Sequence, residues 1–344
     1  MATLAQDKPK SWLSDLSLDG TIIRLFIIVA ALFAIFSLAR PDAFPTVRNL
    51  QSMAFQSAEI GILALAVALA MLTGGIDLSI NSTANLTAVL AALLLTNFKD
   101  TAPELAVVGA FLIALVIGPL CGAFNGFLVA HVGIPPILAT LGTMTLFKGI
   151  GTVITKGAAI FAIPQFAFIG NGDILGIPIP FIIFLVVAAL VGMMMSRTRY
   201  GFEVYLLGTN PLAARFSGIN NRSVLMRTYI TSGLLSALAG LISLGRTNAA
   251  RVDFGESYVL LTIMICVLGG INPAGGAGRM VGVVLALVAL QLLSTGMNMV
   301  LFTSSGANFF KEAAWGATLL LVLVVELISA RWKQRSRRKL KSEG

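Results

Sequence analysis

The sequence predicts an all-α, polytopic membrane protein of about ten transmembrane helices, with both termini in the cytoplasm. Three observations predict it. Of 344 residues, 57% are hydrophobic and 11% are charged, whereas a soluble domain carries about 25% charged residues. The mean hydropathy is +0.92, and the apolar residues fall into runs near the length of about 17–25 residues that crosses a bilayer as a helix. Basic residues crowd the break at 196–223 and the tail after Ala330, places that lysine and arginine bias assigns to the cytoplasm.

The same composition narrows the classes of function. A net charge of +9 is no nucleic-acid patch here, because the basic residues are dispersed among a few breaks and the tail. Cys121 and Cys266 both lie inside apolar segments and read as small packing residues, with no disulfide framework. His131 is the single histidine, so no pair is on hand for a metal site. An intramembrane enzyme lacks its nucleophile–base or metal constellation, and no catalytic residue is assigned.

In chain order, residues 1–21 form a cytoplasmic N-terminal segment. Asp7, Asp15 and Asp19 stand there among lysines without an apolar run, so no cleavable signal is expected and the first span is retained. A transmembrane domain follows over 22–330, with spans near 22–39, 54–73, 80–96, 105–129, 137–154, 177–195, 224–244, 257–271, 279–302 and 313–330. Segments 80–96 and 257–271 are short, which allows tilting, re-entry or a half-helix. The tail 331–344 carries Arg331, Lys333, Arg335, Arg337, Arg338, Lys339 and Lys341; the break carries Arg197, Arg199, Arg215 and Arg222. Six spans precede the break and four follow it. Both counts are even, so both basic segments face inward.

This topology puts 40–53, 97–104, 155–176 and 245–256 outside. The breaks near 74–79, 131–136 and 272–278 lie inside, built from Gly and Pro that survive at membrane depth only where protein or a wet cavity satisfies the freed backbone. The loop 155–176 is unusually apolar and reads as a short helix over the outer mouth or as a re-entrant structural loop.

Polar residues inside the oil are the candidate site. Gly74 to Asn85 carries Asp77, Ser79, Asn81, Ser82 and Asn85. A lone intramembrane carboxylate is costly and marks a functional position, although Asp77 or Ser79 can equally cap the span beginning at 80. Helical spacing puts Ser79, Ser82 and Asn85 on one face, where they bridge helices or hydrogen-bond a neutral polyol in passage. Asn125, Thr140, Thr143, Gln291 and Asn298 are further polar residues within spans and suit helix-to-helix hydrogen bonding. Glu59 is expected to snorkel or to meet Arg48, and Glu326 to pair with the basic tail.

The cytoplasmic break contains Gly208 to Ile219. Asn210 suits an N-cap, Pro211 the first helical position, and Gly218 a left-handed close. A short helix with both ends marked is therefore expected outside the membrane, either as a connecting turn or as a knob for a partner's groove.

Four segments, GGIDLS (74–79), IPPILATLGTM (134–144), GTNPLAARFSGI (208–219) and LGGINPAGGAG (268–278), together resemble the permease subunits of bacterial ATP-binding-cassette (ABC) importers for ribose, xylose and related sugars, a group that includes autoinducer-2 permeases. The resemblance covers nearly the whole chain after residue 45. It implies a permease dimer, identical or mixed, in the inner membrane, working with a cytoplasmic ABC ATPase and a periplasmic sugar-binding protein. Gly208, Asn210, Pro211, Ala214, Arg215, Ser217 and Gly218 would form the ATPase-coupling helix within 196–223. The substrate path would involve Asp77, Ser79, Asn81, Ser82, Asn85, Asn125, Thr140 and Thr143. The chain departs from the family at LTIMICVLGG, usually alanine-rich, and at Asn272 and Pro273, which bears on the substrate more than on the class. No GxxxxGK[ST] occurs, so ATP and Mg belong to the partner ATPase and this chain binds no cofactor. The competing reading is an ion-coupled secondary transporter of a small neutral solute. It needs essential intramembrane carboxylates, and only Asp77, Glu59 and Glu326 qualify.

Overall fold

The structure, a computed structural model, describes residues 20–301 and Gly316. The expected tenth span, Glu326 and the basic tail lie outside the described residues. The described chain is helical almost throughout. The helices are α1 (Gly20–Ala39), α2 (Val47–Leu72), α3 (Ile80–Asn97), α4 (Pro103–Phe127), α5 (Pro136–Thr155), α6 (Pro164–Asn171), α7 (Ile179–Arg197), α8 (Arg199–Thr209), α9 (Pro211–Phe216), α10 (Asn221–Thr247), α11 (Tyr258–Leu268) and α12 (Met280–Leu301). A π-helical turn, Leu128–Val132, closes α4.

Seven of the described helices are long and apolar enough to cross a membrane. Each matches an expected span. The other two expected spans within the described residues are α3, full length but diluted by Asn and Thr, and α11, which has only 11 residues. At 1.5 Å per residue α11 rises about 16 Å, roughly half of a 30 Å hydrocarbon core. Of the tilted, re-entrant and half-helical forms left open for 257–271, the chain forms the half-helix.

Burial follows from sequence. From Ser57 to Leu72, α2 is buried on every side, as a helix apolar all round should be when it sits at the centre of a bundle. The second central helix, α10, packs against α4 through small residues. Gly118 and Gly122 of α4 meet the backbone of Gly233 and Tyr229, and a Cβ at either would collide with a carbonyl. Such small-residue seams let helix backbones approach closely in membranes. The outward faces of α1 and α4 show large apolar side chains instead, among them Phe26, Leu105, Phe111, Leu112 and Leu115.

The loops gather at two ends, as the alternating topology requires. At one end the Gln51 amide donates to the Gly176 carbonyl at 2.8 Å, and Thr96 donates to the Phe161 carbonyl at 2.8 Å. Strand β1 (Ile160–Phe161) pairs antiparallel with β4 (Ala249–Ala250), and β2 (Asp173–Ile174) with β3 (Ile177–Pro178) beside them. All these contacts join loops expected outside or the adjoining ends of the spans 80–96 and 177–195. The apolar loop between α5 and α7 contains the short helix α6, whose Phe166 is fully buried. At the other end Gly276 donates its amide to the Leu72 carbonyl at 3.0 Å, and the Tyr205 hydroxyl donates to the Gly278 carbonyl at 2.8 Å. Those segments are the ones expected inside.

Candidate functional site

The four segments that carry the family resemblance lie far apart in sequence and meet at the end expected inside. Gly74, with φ +84°, abuts Ala274 and Gly275. Gly208, in the last turn of α8, lies so close to the Leu72 carbonyl and the Gly276 amide that a Cβ would overlap both. Gly75 rests on Pro136. Glycine is needed here because three backbones pack against one another with no room for side chains. A backbone junction thus ties the ends of α2, α8, α5 and the loop between α11 and α12.

Above this junction lies a buried polar network. The Asp77 carboxylate accepts from the Ser79 amide at 3.0 Å and from the Ser79 hydroxyl at 2.7 Å through one oxygen, and from Ser232 of α10 at 2.9 Å through the other. The Asn125 amide donates to the Ser79 hydroxyl at 2.7 Å, and Thr143 donates to the Asn125 carbonyl oxygen at 2.6 Å. Thr140 donates to the Ile76 carbonyl and accepts from the Leu78 amide. Asp77, Ser79, Asn125, Thr140 and Thr143 are all at most 3% exposed. Asp77 forms an Asx-type turn with Ser79 just ahead of α3, whose N-cap Ser79 makes no side-chain bond into the helix, and the whole set joins the α2–α3 break, α4, α5 and α10.

Asn81 and Asn85 do something else. Both donate to the Phe254 carbonyl, at 2.9 and 2.8 Å, and Asn85 also to the Val252 carbonyl at 3.0 Å. These carbonyls belong to residues 251–257, which run without helix from β4 to α11 and reach down to the first turns of α3. An unwound segment at membrane depth needs donors for its freed carbonyls, and the two asparagines, one turn apart, supply them. The residues expected to share one face are engaged with different partners. Ser79 turns to Asp77 and Asn125, Asn85 turns to the re-entrant segment, and Ser82 is buried near them.

Glu59 does not snorkel and does not meet Arg48. It is 3% exposed and pairs at 2.8 Å with Arg246, in the last turn of α10. Arg246, Gln56, Tyr258, Gln291 and Ser294, with Leu261 and Leu287 among others, line a cavity of about 60 Å³, enough for a few waters.

The expected helix at Pro211–Phe216 is present as α9. Asn210 accepts from the Leu212 and Ala213 amides at 3.0 Å each, and Gly218 closes with φ +79°. Ala214 is fully buried, whereas Arg215, Leu212 and Phe216 face outward, Phe216 at 89% exposure. The sequence reading did not find α8, which carries α9 on the junction. Tyr200 of α8 shares a 2.7 Å hydrogen bond with Thr228 of α10. Burial pushes its hydroxyl up to about 12, so that bond keeps its proton at any physiological pH. Ser232 and Arg246 were also missed. Thr228, Ser232 and Ser236, each four residues apart on α10, were the available signal for Ser232.

The family profile described as "Branched-chain amino acid transport system / permease component" matches residues 49–327. The ribose import permease protein RbsC of Haemophilus influenzae is 35% identical over 308 residues, covering 88% of this chain and 92% of its own length. The autoinducer 2 import system permease protein LsrD of Yersinia enterocolitica is 34% identical over 291 residues, 81% of this chain and 85% of its own. Its counterpart in Escherichia coli K12 is 31% identical over 318 residues, 90% of this chain and 93% of its own. No solved structure matches the chain.

Proposed function

The chain belongs to the family of transport-system permease components, and on that premise we propose that it forms the translocation path of an ABC importer for a monosaccharide or related polyol. The observation that carries this reading is the joint similarity, over most of both chains, to ribose and autoinducer-2 import permeases. As a multi-pass protein of the bacterial inner membrane it would pair with a second permease subunit. A periplasmic binding protein would deliver the solute outside, and a cytoplasmic ATPase would supply ATP and Mg chemistry inside.

In this reading α9 is the coupling helix. Leu212 and Phe216 are large apolar side chains exposed outside the spans, which fits a knob seated in a partner's groove. Force on α9 reaches the spans through α8, because Gly208 is locked against Leu72 and Gly276. Asp77 and its partners then act as a fixed polar joint about which α3, α5 and α10 rearrange. A permease of this kind holds two packings of similar free energy, and its partners bias which is populated. The rival ion-coupled mechanism needs a titrating intramembrane carboxylate. Asp77 and Glu59 are each engaged by donors within the chain, which suits structural anchoring better.

Uptake of labelled sugar by vesicles holding the complete importer tests the reading. Transport should stop without ATP, and uptake that survives removal of the ATPase would reject the ABC assignment. In the same assay Arg215→Glu, or Gly218→Pro at its left-handed position, should abolish uptake with membrane insertion intact. Normal uptake by either variant would remove the coupling role from α9.

A further inference from the structure

One pair of charges stands where lipid would not tolerate it. Lys148 of α5 pairs with Glu256 of the re-entrant segment, and the two side chains are 46% and 57% exposed. Beside them Arg251 pairs with Asp253 at 2.9 Å, both more than half exposed. Lys148 stands twelve residues into the twenty of α5, about 18 Å from one end and 10 Å from the other at 1.5 Å per residue. Charges at such depth face a bundle interior or a water-filled cavity, because hydrocarbon does not solvate them. The exposed face of α4 behaves as a lipid face should, with Val108, Phe111, Leu112 and Leu115 and no charge in its middle turns.

On the adjoining face of α5, Gly142 and Gly149 have open space where a Cβ would stand, and with Thr145 and the aliphatic Leu146, Ile150, Val153 and Ile154 they line an open groove. Gly151, on the flank of α5 facing the protein, touches Val252 of the re-entrant segment, so α5 and residues 251–256 form one continuous wall. Asn81 and Asn85 fix that segment from behind.

We propose that Lys148 and Glu256 line the aqueous solute path, where they hydrogen-bond the hydroxyls of a passing polyol and tie α5 to the re-entrant segment. The proposal rests on the reading of the chain as a sugar permease. An ammonium and a carboxylate side by side offer donors and acceptors to vicinal hydroxyls, with no net charge to hold an ion. Drawing the two apart would free α5 from residues 251–256, so the same pair serves as contact and latch.

Cysteine labelling in right-side-out vesicles holding the complete importer tests the placement. Cys121 and Cys266 are both buried, so background is low. A membrane-impermeant cationic methanethiosulfonate should label Lys148→Cys at a rate within about tenfold of an exposed-loop control, Asp100→Cys, if water reaches the site. Labelling no faster than the lipid-facing Leu112→Cys would overturn the proposal. This readout does not depend on the substrate, so it fails separately from the ATP requirement that tests the permease reading. For the function of the pair, Glu256→Lys should lower sugar uptake about tenfold by placing like charges together. Adding Lys148→Glu should restore most of it at equal membrane levels. A double variant as poor as the single, or a single as good as the parent, would overturn the latch and contact role.

Discussion

At the scale of single residues, buried polar groups in this chain are matched to partners that lie far away in sequence. Glu59 and Arg246 are 187 residues apart and joined at 2.8 Å. A buried pair is costly to form and costly to break, because removing one partner strands the other charge at about 3–5 kcal/mol. Arg246→Met should therefore lower the thermal unfolding midpoint of the purified permease in detergent substantially. The double variant Glu59→Leu/Arg246→Met should recover most of the loss, since apolar replacement of both partners removes the stranded charge. A double variant no more stable than Arg246→Met alone would mean that a stranded charge does not account for the loss. Asp77 is held differently, by two serine hydroxyls and one amide, with no cation in direct contact among the described residues. Sequence marked both carboxylates as exceptional. Their partners were out of reach because pairing across 155 or 187 residues leaves no periodic trace, although the four-residue spacing of Thr228, Ser232 and Ser236 did mark the polar face of α10.

At the scale of elements, length and hydropathy decide most of the outcome. Helices α1, α2, α4, α5, α7, α10 and α12 follow from apolar runs of bilayer length. Asn210, Pro211 and Gly218 set the ends of α9 through local chemistry alone. The elements that escaped, or were read only as short, owe their form to tertiary contacts. Residues 251–257 carry Arg251, Asp253, Gly255 and Glu256, a composition that reads as an outer loop, and tertiary contacts, among them the carbonyl bonds to Asn81 and Asn85, draw it down to α3. Helix α8 is amphipathic and packs its Gly208 on the inner junction. That packing gives a contrast between two glycines. Gly208→Ala pushes a methyl group into the Leu72 carbonyl and should abolish uptake and lower the unfolding midpoint. Gly192→Ala, where a Cβ meets nothing within 4 Å, should leave uptake intact and stabilise α7 by about 0.5–1 kcal/mol, the usual gain for Ala over Gly inside a helix. Equal behaviour of the two variants would show that the junction yields to a methyl group and does not transmit force.

At the scale of the whole molecule, the organising feature is the division of loops between two ends. Charge bias assigns the sidedness, and the contacts sort most of the loops into the same two groups. Segments 40–53, 155–176 and 245–256 meet through Gln51, Asn171 and the β1–β4 pairing. The glycine-rich breaks and α8 meet at the opposite end. Two residues report these ends without disturbing any packing. Leu175, at the tip of the turn between β2 and β3, is 99% exposed, and Phe216 of α9 is 89% exposed. In right-side-out vesicles of the permease alone, Leu175→Cys should react with an impermeant maleimide at once. Phe216→Cys should react only after permeabilisation, because an arginine-rich break resists transfer across the membrane. Adding the ATPase to the permeabilised vesicles ahead of the maleimide should then slow labelling of Phe216→Cys and leave Leu175→Cys unchanged, since α9 is the part offered to that partner. Reaction of both cysteines from the same side would break the alternating topology. Protection of neither would leave the topology standing and separate α9 from the ATPase.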